Sequence, residues 1–145
     1  MIKVIKIISI FFIAVNLTNS SLAENTFFEE GKTKYNEKKY EESKFLFQRN
    51  IVFNPKDQES YLYLAKIFKL EENKKEEQKN INTVLLLDPK NEEANYLLME
   101  IELKKSNYSK VKELAENFTK ICSKLCNKKT LILESLKNLE PKDDS

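Results

Sequence analysis

The sequence predicts an all-α fold, in which three helix pairs are stacked and a seventh helix covers the last pair. The stretches "NPKDQES" and "DPKNEEA" are nearly the same turn, and their prolines, Pro55 and Pro89, are 34 residues apart. Only one glycine and three prolines occur among 145 residues, while 33% of the residues are charged. That composition favours helices joined by short turns over a sheet with many hairpins.

Residues 1–23 are predicted to be a cleaved secretory signal peptide, which leaves a domain at residues 24–140. "MIKVIK" supplies two lysines, "IISIFFIAV" is a short apolar run, and "SLA" ends in a small residue before the cut. The alternative is an uncleaved anchor helix, but Asn16 interrupts a run that would need about 20 apolar residues to span a bilayer. We therefore expect an exported protein, periplasmic or extracellular, with no stable membrane insertion after cleavage.

The charge balance of the mature chain is close to zero. Without Lys3 and Lys6 of the signal segment, the chain has 23 basic and 23 acidic side chains. The slightly basic balance of the whole chain is thus a property of the signal segment. It gives no reason to expect a nucleic acid partner, and export makes one less plausible still.

The 34-residue spacing extends beyond the prolines and defines units at about 24–57, 58–91 and 92–123. Counting back from Pro55 and Pro89 places Gly31, Ala65 and Met99 at equivalent positions. Each unit is predicted as helix, tight turn, helix, tight turn. A proline stops the second helix of a unit, because it lacks an N–H group and clashes with the preceding turn. Asp57 and Asn91 then follow as predicted caps of the next helix.

A period of 34 residues built from two helices resembles the tetratricopeptide repeat family, from about Asn25 to Cys122. The resemblance implies a right-handed superhelix of three antiparallel helix pairs. The family's small residue, turn aromatic and closing proline are matched at Gly31 and Ala65, at Tyr40 and Tyr108, and at Pro55 and Pro89. The departures are Glu77 and Val111 at a usually small position, Asn50 and Phe118 where alanine is usual, Met99 for a small residue, and Ser123 for the proline.

A C-terminal capping helix is predicted at about 128–139, with Ile132, Leu136 and Leu139 facing inwards. Stacked repeats need a terminal element that covers the last apolar face. Residues 141–145 are predicted to leave the fold as a tail.

Catalysis, cofactors and metals are not expected. Histidine is absent, so Ser-His and Cys-His pairs and HExxH metal sites are unavailable. One glycine cannot build a Walker loop or a dinucleotide fingerprint. Adjacent carboxylates such as Glu76 and Glu77 point about 100° apart on a helix, and we interpret them as solvated faces.

Cys122 and Cys126 are predicted to form a disulfide where the third unit ends. Export would place them in an oxidising compartment, and two cysteines without histidine make a poor zinc site. The spacing is too tight for a continuous helix, so we expect a helix break there. The alternative is a pair of reduced cysteines that serve as small apolar residues.

In the tetratricopeptide family the first helix of each unit lines a concave groove that holds a peptide or protein segment. The resemblance implies twelve contact positions here: Phe28, Lys32, Tyr35, Asn36, Leu62, Lys66, Lys69, Leu70, Tyr96, Glu100, Leu103 and Lys104. This set suits a segment with apolar side chains and some negative charge, including a C-terminal carboxylate. The alternative is that Phe28, Leu62 and Tyr96 are partly covered core residues.

Two functions of different classes follow from these observations. The first is an interaction scaffold in the cell envelope or periplasm that binds an unknown protein or peptide in the groove. The second is a fixed structural subunit of an envelope complex. A free groove would expose Leu62, Tyr96 and Leu103 on the isolated protein, whereas a permanent subunit would be poorly soluble alone.

Overall fold

The computed structural model describes residues 26–139, so the predicted signal segment 1–23 and tail 141–145 lie outside the described residues. Within that range the chain forms helices and no strands, and the predicted all-α, solenoid-like fold is confirmed. The helices are α1 (residues 26–36), α2 (Tyr40–Phe53), α3 (Gln58–Leu70), α4 (Lys74–Leu87), α5 (Glu92–Lys104), α6 (Tyr108–Ile121) and α7 (Cys126–Leu139).

The turn inside each helix pair has the same backbone conformation. Lys38, Glu72 and Ser106, spaced 34 residues apart, have positive φ angles of 61°, 56° and 59°. The next residue donates its N–H to the carbonyl five positions back, as Asn73 does to Phe68 O at 2.9 Å. This is the Schellman arrangement that ends many helices, and here it is built three times without glycine.

The joints between helix pairs also repeat. Asn54 donates its backbone N–H to Asn50 O at 2.8 Å, and Asp88 donates to Val84 O at 2.7 Å. A proline follows each of these residues, so the helix cannot continue. The predicted cap at Asn91 is confirmed, because its side chain accepts the backbone N–H of Ala94 at 3.0 Å.

The chain divides into two compact units within α3, the first ending at Ile67 and the second beginning at Phe68. In the first unit, α1 and α2 approach closely at Gly31. A Cβ atom built on Gly31 would lie 2.9 Å from Cε1 of Phe47, whose side chain is fully buried. The buried hydroxyl of Ser43 donates to Gly31 O at 2.9 Å and fixes the same contact. The small residue that the 34-residue repeat predicts at position 31 is therefore required for steric reasons.

A buried polar group occupies the end of α2 in the first unit. The Asn50 amide donates to Asp57 Oδ2 at 2.6 Å and to the hydroxyl of Ser60 at 2.9 Å. The Ser60 hydroxyl in turn donates to Asp57 Oδ2 at 2.6 Å. Asn50, at a position where the resemblance to tetratricopeptide repeats implies alanine, therefore ties the joint at Pro55 to the first turn of α3. A buried amide is stable there because its donors have partners.

The core of the second unit lies between α5, α6 and α7. Its fully buried members include Met99 on α5 together with Val111, Ala115 and Phe118 on α6. Ile132 and Leu136 of α7 complete this core, so two of the three predicted inward positions of the seventh helix are confirmed.

Two expectations for α7 need correction. The helix begins at Cys126, two residues earlier than predicted. Leu139, predicted to face inwards, is 56% exposed because it lies in the last turn of α7, beyond the core residues Ile132 and Leu136. Only its backbone is engaged, since Leu139 O accepts the hydroxyl of Tyr108 at 3.0 Å.

Candidate functional site

Two of the four predicted contact residues on α1, Phe28 and Tyr35, take part in an aromatic cluster of the first unit. Tyr63 is at its centre, stacked on Phe47 with ring centroids 4.8 Å apart. The rings of Phe28 and Tyr35 meet Tyr63 edge-on at 6.2 Å and 5.1 Å. Phe28 and Tyr35 are half-buried, so they contribute to packing and still reach the surface. Tyr63 was not among the predicted site residues.

Lysines cover two of these rings. The Lys32 ammonium lies 5.1 Å from the ring centroid of Phe28, and the Lys66 ammonium lies 4.9 Å from that of Tyr63. Lys32 also pairs with the Glu29 carboxylate at 3.2 Å. Cation–π contacts of this kind contribute about 0.5–1 kcal/mol at exposed sites.

Leu62 and Asn36 have opposite environments. Leu62 is only 3% exposed, so the expectation that a free groove would expose it is wrong. The alternative that Leu62 is a core residue fits the structure. Asn36, at the end of α1, is exposed.

The four predicted contact residues of α5 lie together at one pocket of the second unit. This α5–α7 pocket has a volume of about 150 Å³. Its lining residues are Tyr96, Glu100, Leu103, Lys104, Leu131, Ile132 and Ser135. The last three belong to α7 and were not predicted as site residues. The half-exposed Leu131 and the half-buried Leu103 bring apolar surface to it.

Glu100, at the centre of this set, is already satisfied within the second unit. Its carboxylate forms a close ion pair with Lys69, another predicted contact residue, and accepts the hydroxyl of Tyr96 at 2.8 Å. Burial and the hydrogen bond to the Glu100 carboxylate raise the pKa of Tyr96 to about 12. Glu100 and Lys69 therefore neutralise each other and hold the Tyr96 ring in place.

Two lysines near the pocket make no ion pair among the described residues. Lys104 lines the pocket, and the Lys128 ammonium lies 5.1 Å from the ring centroid of Tyr96. Glu77 was expected on a solvated face and is buried instead, at 5% exposure. Burial raises the pKa of its carboxyl, and although Lys104 attracts the carboxylate, the two form no ion pair. Leu70, the remaining predicted residue, is more than half exposed at the end of α3.

The third joint lacks a proline and is closed by a carboxylate. Glu92 of α5 accepts the backbone N–H groups of Ser123, Lys124 and Leu125, the last at 2.7 Å, and also the Ser123 hydroxyl at 2.7 Å. These hydrogen bonds, with that from the Ser123 side chain first, lower the pKa of Glu92 to about 2. Nothing in the sequence indicated this role for Glu92, because its partners are more than 30 residues away.

The same joint contains the predicted disulfide. Cys122 and Cys126 are linked, with their Cα atoms 5.2 Å apart. The predicted helix break is also present, since α6 ends at Ile121 and α7 begins at Cys126. The disulfide and the Glu92 carboxylate thus fix the four residues that connect α6 to α7, Cys122–Leu125, and with them the start of the helix that supplies one wall of the pocket.

Among residues 26–139, no group of three or more His, Cys, Asp or Glu side chains is arranged to hold a metal ion. None of the helices in this range has the length and apolar character that a membrane span requires.

Solved structures with a similar fold include tetratricopeptide repeat domains. The Sgt2 domain from Aspergillus fumigatus matches with a TM-score of 0.65 and 17% identity, covering 84% of this chain and 87% of that chain. The TPR2B domain of yeast Sti1, in its pHsp70 complex, matches with a TM-score of 0.73 and 12% identity, covering 82% and 99%. The Yersinia enterocolitica type III secretion chaperone SycD, in complex with a peptide of the translocator YopD, matches with a TM-score of 0.70 and 16% identity, covering 79% and 92%.

These likenesses define the class of fold, the tetratricopeptide repeat fold, and at such low identity they define nothing finer. No protein-family model matches the sequence, and no curated protein sequence matches it.

Proposed function

We propose that this chain is an exported interaction scaffold that binds a peptide or protein segment through the inner helices of its repeats. The observation that supports this most directly is the α5–α7 pocket. Four residues that the repeat register selected, Tyr96, Glu100, Leu103 and Lys104, line one surface depression together. The pocket combines apolar walls with positioned polar groups, which is typical of recognition sites.

The neighbouring structures support binding of a segment. The Sti1 domain is in a complex with pHsp70, SycD is in complex with a YopD peptide, and a second domain of human RPAP3 is in complex with the HSP70 peptide SGPTIEEVD. The partners of those proteins are not carried over to this chain, because identities of 12% and 16% show the fold alone. A non-enzymatic role is part of the proposal.

Export to an envelope or extracellular compartment is also part of the proposal. It rests on the signal-like order of residues 1–23, and the disulfide between Cys122 and Cys126 is the kind of bond that persists in oxidising compartments. N-terminal sequencing of the exported chain should begin at Glu24. Recovery of the uncleaved chain as an integral membrane protein would contradict this part.

Site-specific photo-crosslinking in the producing cell tests the binding role. A benzophenone amino acid at Lys104, beside the pocket, should give a discrete adduct with another protein. The same amino acid at Lys75, which is exposed on α4, is the matched control and should give none. Equal adducts from both positions, or none from Lys104, would contradict a binding role for this surface.

A fixed structural subunit is the second candidate, favoured by repeated apolar exposure. Val52 and Phe53 end α2, and Leu86 and Leu87 end α4 at positions 34 residues later. Val52 is 75% exposed and Leu86 is 82% exposed. A permanent subunit would cross-link to its neighbour from a benzophenone amino acid placed at Leu86, and the isolated chain would be poorly soluble. A monomeric, soluble mature chain that cross-links only from Lys104 favours the scaffold.

A further inference from the structure

We propose that the α5–α7 pocket binds an aliphatic side chain of a partner segment that carries an acidic side chain two positions away on each side. This inference rests on the proposed binding function and adds the chemistry of the segment. The pocket supplies the apolar contact, and Lys104 and Lys128 supply the two cations.

The size and walls of the pocket fit one aliphatic side chain. Its volume of about 150 Å³ equals that of a cavity known to hold one benzene molecule, at about 150 Å³. Leu103, Leu131 and Ile132 supply carbon surface, and Ser135, whose hydroxyl donates to Leu131 O at 2.9 Å, also lines the pocket. Leu131 is 49% exposed, so covering it would remove apolar surface from water.

The charge around the pocket favours an anionic segment. Glu100 is the acid among the lining residues, but Lys69 and the Tyr96 hydroxyl already use its carboxylate. Lys104 and Lys128 are left without an ion pair among the described residues. A basic segment would meet two ammonium groups that form no ion pair, whereas an acidic one could pair with both.

The separation of the α5 positions beside the two lysines is close to a residue spacing of an extended segment. Lys128 lies over Tyr96, which precedes Lys104 by eight residues on α5, or about 12 Å at 1.5 Å per helical residue. In an extended segment, residues two positions before and after an anchor are about 13 Å apart. A chain terminus supplies only one additional carboxylate next to its last side chain, so an internal segment with two acidic side chains fits better.

Defined peptides test this on the isotope-labelled mature chain by NMR titration. Ac-Glu-Ala-Leu-Ala-Glu-NH2 should bind at millimolar concentration and shift the signals of Leu103, Leu131 and Ser135. Ac-Lys-Ala-Leu-Ala-Lys-NH2 should bind about tenfold more weakly, because both end charges become repulsive. Ac-Glu-Ala-Ala-Ala-Glu-NH2 should bind about fivefold more weakly, because it lacks the apolar anchor.

Three variants separate the two lysines. Lys104→Gln and Lys128→Gln should each weaken the acidic peptide about threefold to fivefold, the scale of one partly exposed ion pair. Lys75→Gln is the matched control and should leave binding unchanged. None of these exposed or half-exposed positions belongs to the core, so the variants should keep the amide spectrum of the folded chain.

Equal binding of the acidic and basic peptides would overturn the proposal, and so would shifts confined to residues away from the pocket. Sensitivity to Lys104→Gln alone would also overturn it, because one carboxylate would then suffice. An absence of binding by all peptides, together with a positive cross-link from Lys104, would overturn this proposal and leave the scaffold function standing.

Discussion

Replacing Gly31 by alanine should destabilise the protein, although alanine is the better helix former. Gly31 lies inside α1, where a change from glycine to alanine ordinarily stabilises by about 1 kcal/mol. The added methyl group, however, would lie 2.9 Å from Cε1 and 3.1 Å from Cδ1 and Cζ of Phe47. Carbon atoms in good contact are about 3.5–4.0 Å apart, so the ring or the helix must move.

The Phe47 ring has little room to move. It is fully buried, stacked on Tyr63 at 4.8 Å, and in contact with Phe28 at 5.9 Å between centroids. Overpacking of such a site costs about 1–3 kcal/mol. After the gain of about 1 kcal/mol in helix propensity, the net loss in the free energy of unfolding should lie between about 0 and about 2 kcal/mol.

Denaturant unfolding measures this loss, and a double-mutant cycle assigns its cause. The change Phe47→Leu removes the ring atoms nearest to the new methyl group, so Gly31→Ala should cost less in that background. The coupling between the two changes should be about 1 kcal/mol. A stabilisation of about 1 kcal/mol by Gly31→Ala alone, as propensity predicts, would refute the close contact and the repeat register built on it.

Three further predictions concern the turns and the last joint. Glu92→Gln should lower the denaturant midpoint at pH 7, while the exposed Glu116→Gln should not. Because the pKa of Glu92 is lowered to about 2, its contribution to the free energy of unfolding is present above about pH 4.5 and is lost as the pH falls towards 2. If the stability of Glu92→Gln depended on pH in the same way as that of the unmodified chain, this would be disproved. Ser106→Asn should stabilise by about 0.5–1 kcal/mol, because asparagine tolerates the positive φ of 59°, and a lower midpoint would contradict that strain. Reducing the bond between Cys122 and Cys126 should cost about 2 kcal/mol for so short a loop, and intact mass without reductant should show two masked thiols; reactive thiols under acid quench would contradict the disulfide.

The repeat architecture could be predicted because it depends on residues that act on their immediate sequence neighbours. Pro55 and Pro89 stop helices by backbone chemistry alone, and Asn91 caps α5 through its own side chain. The position of Gly31 in the repeat predicted a close contact between helices, and in the structure the Phe47 ring makes that contact.

Features that depend on distant partners could not be predicted. Nothing near Glu92 in the sequence indicates that its carboxylate closes the joint at Ser123, where the family has a proline. The positive φ angles of Glu72 and Ser106 gave no signal either, because neither residue is a glycine. The turns nevertheless repeat at the same spacing as the prolines.

The candidate site was only partly predictable for a similar reason. Helical periodicity gives the face on which Leu62 lies, but it does not tell whether a neighbouring helix covers that face, and Leu62 is buried. The buried face of α7, which includes Ile132, was predicted from helical periodicity. That Leu131 and Ser135 line a pocket shared with α5 could not be predicted, because it depends on how α7 packs against α5.

Comparative affinity capture tests the central claim, that this chain binds a protein partner through the α5–α7 pocket. The mature chain, Lys104→Glu and the charge-matched control Lys75→Glu are immobilised separately, exposed to envelope extract of the producing cells, and their retained proteins are quantified by mass spectrometry. The account predicts at least one protein that is retained by the unmodified chain and by Lys75→Glu but lost by Lys104→Glu. Retention of the same proteins at the same levels by all three would contradict it.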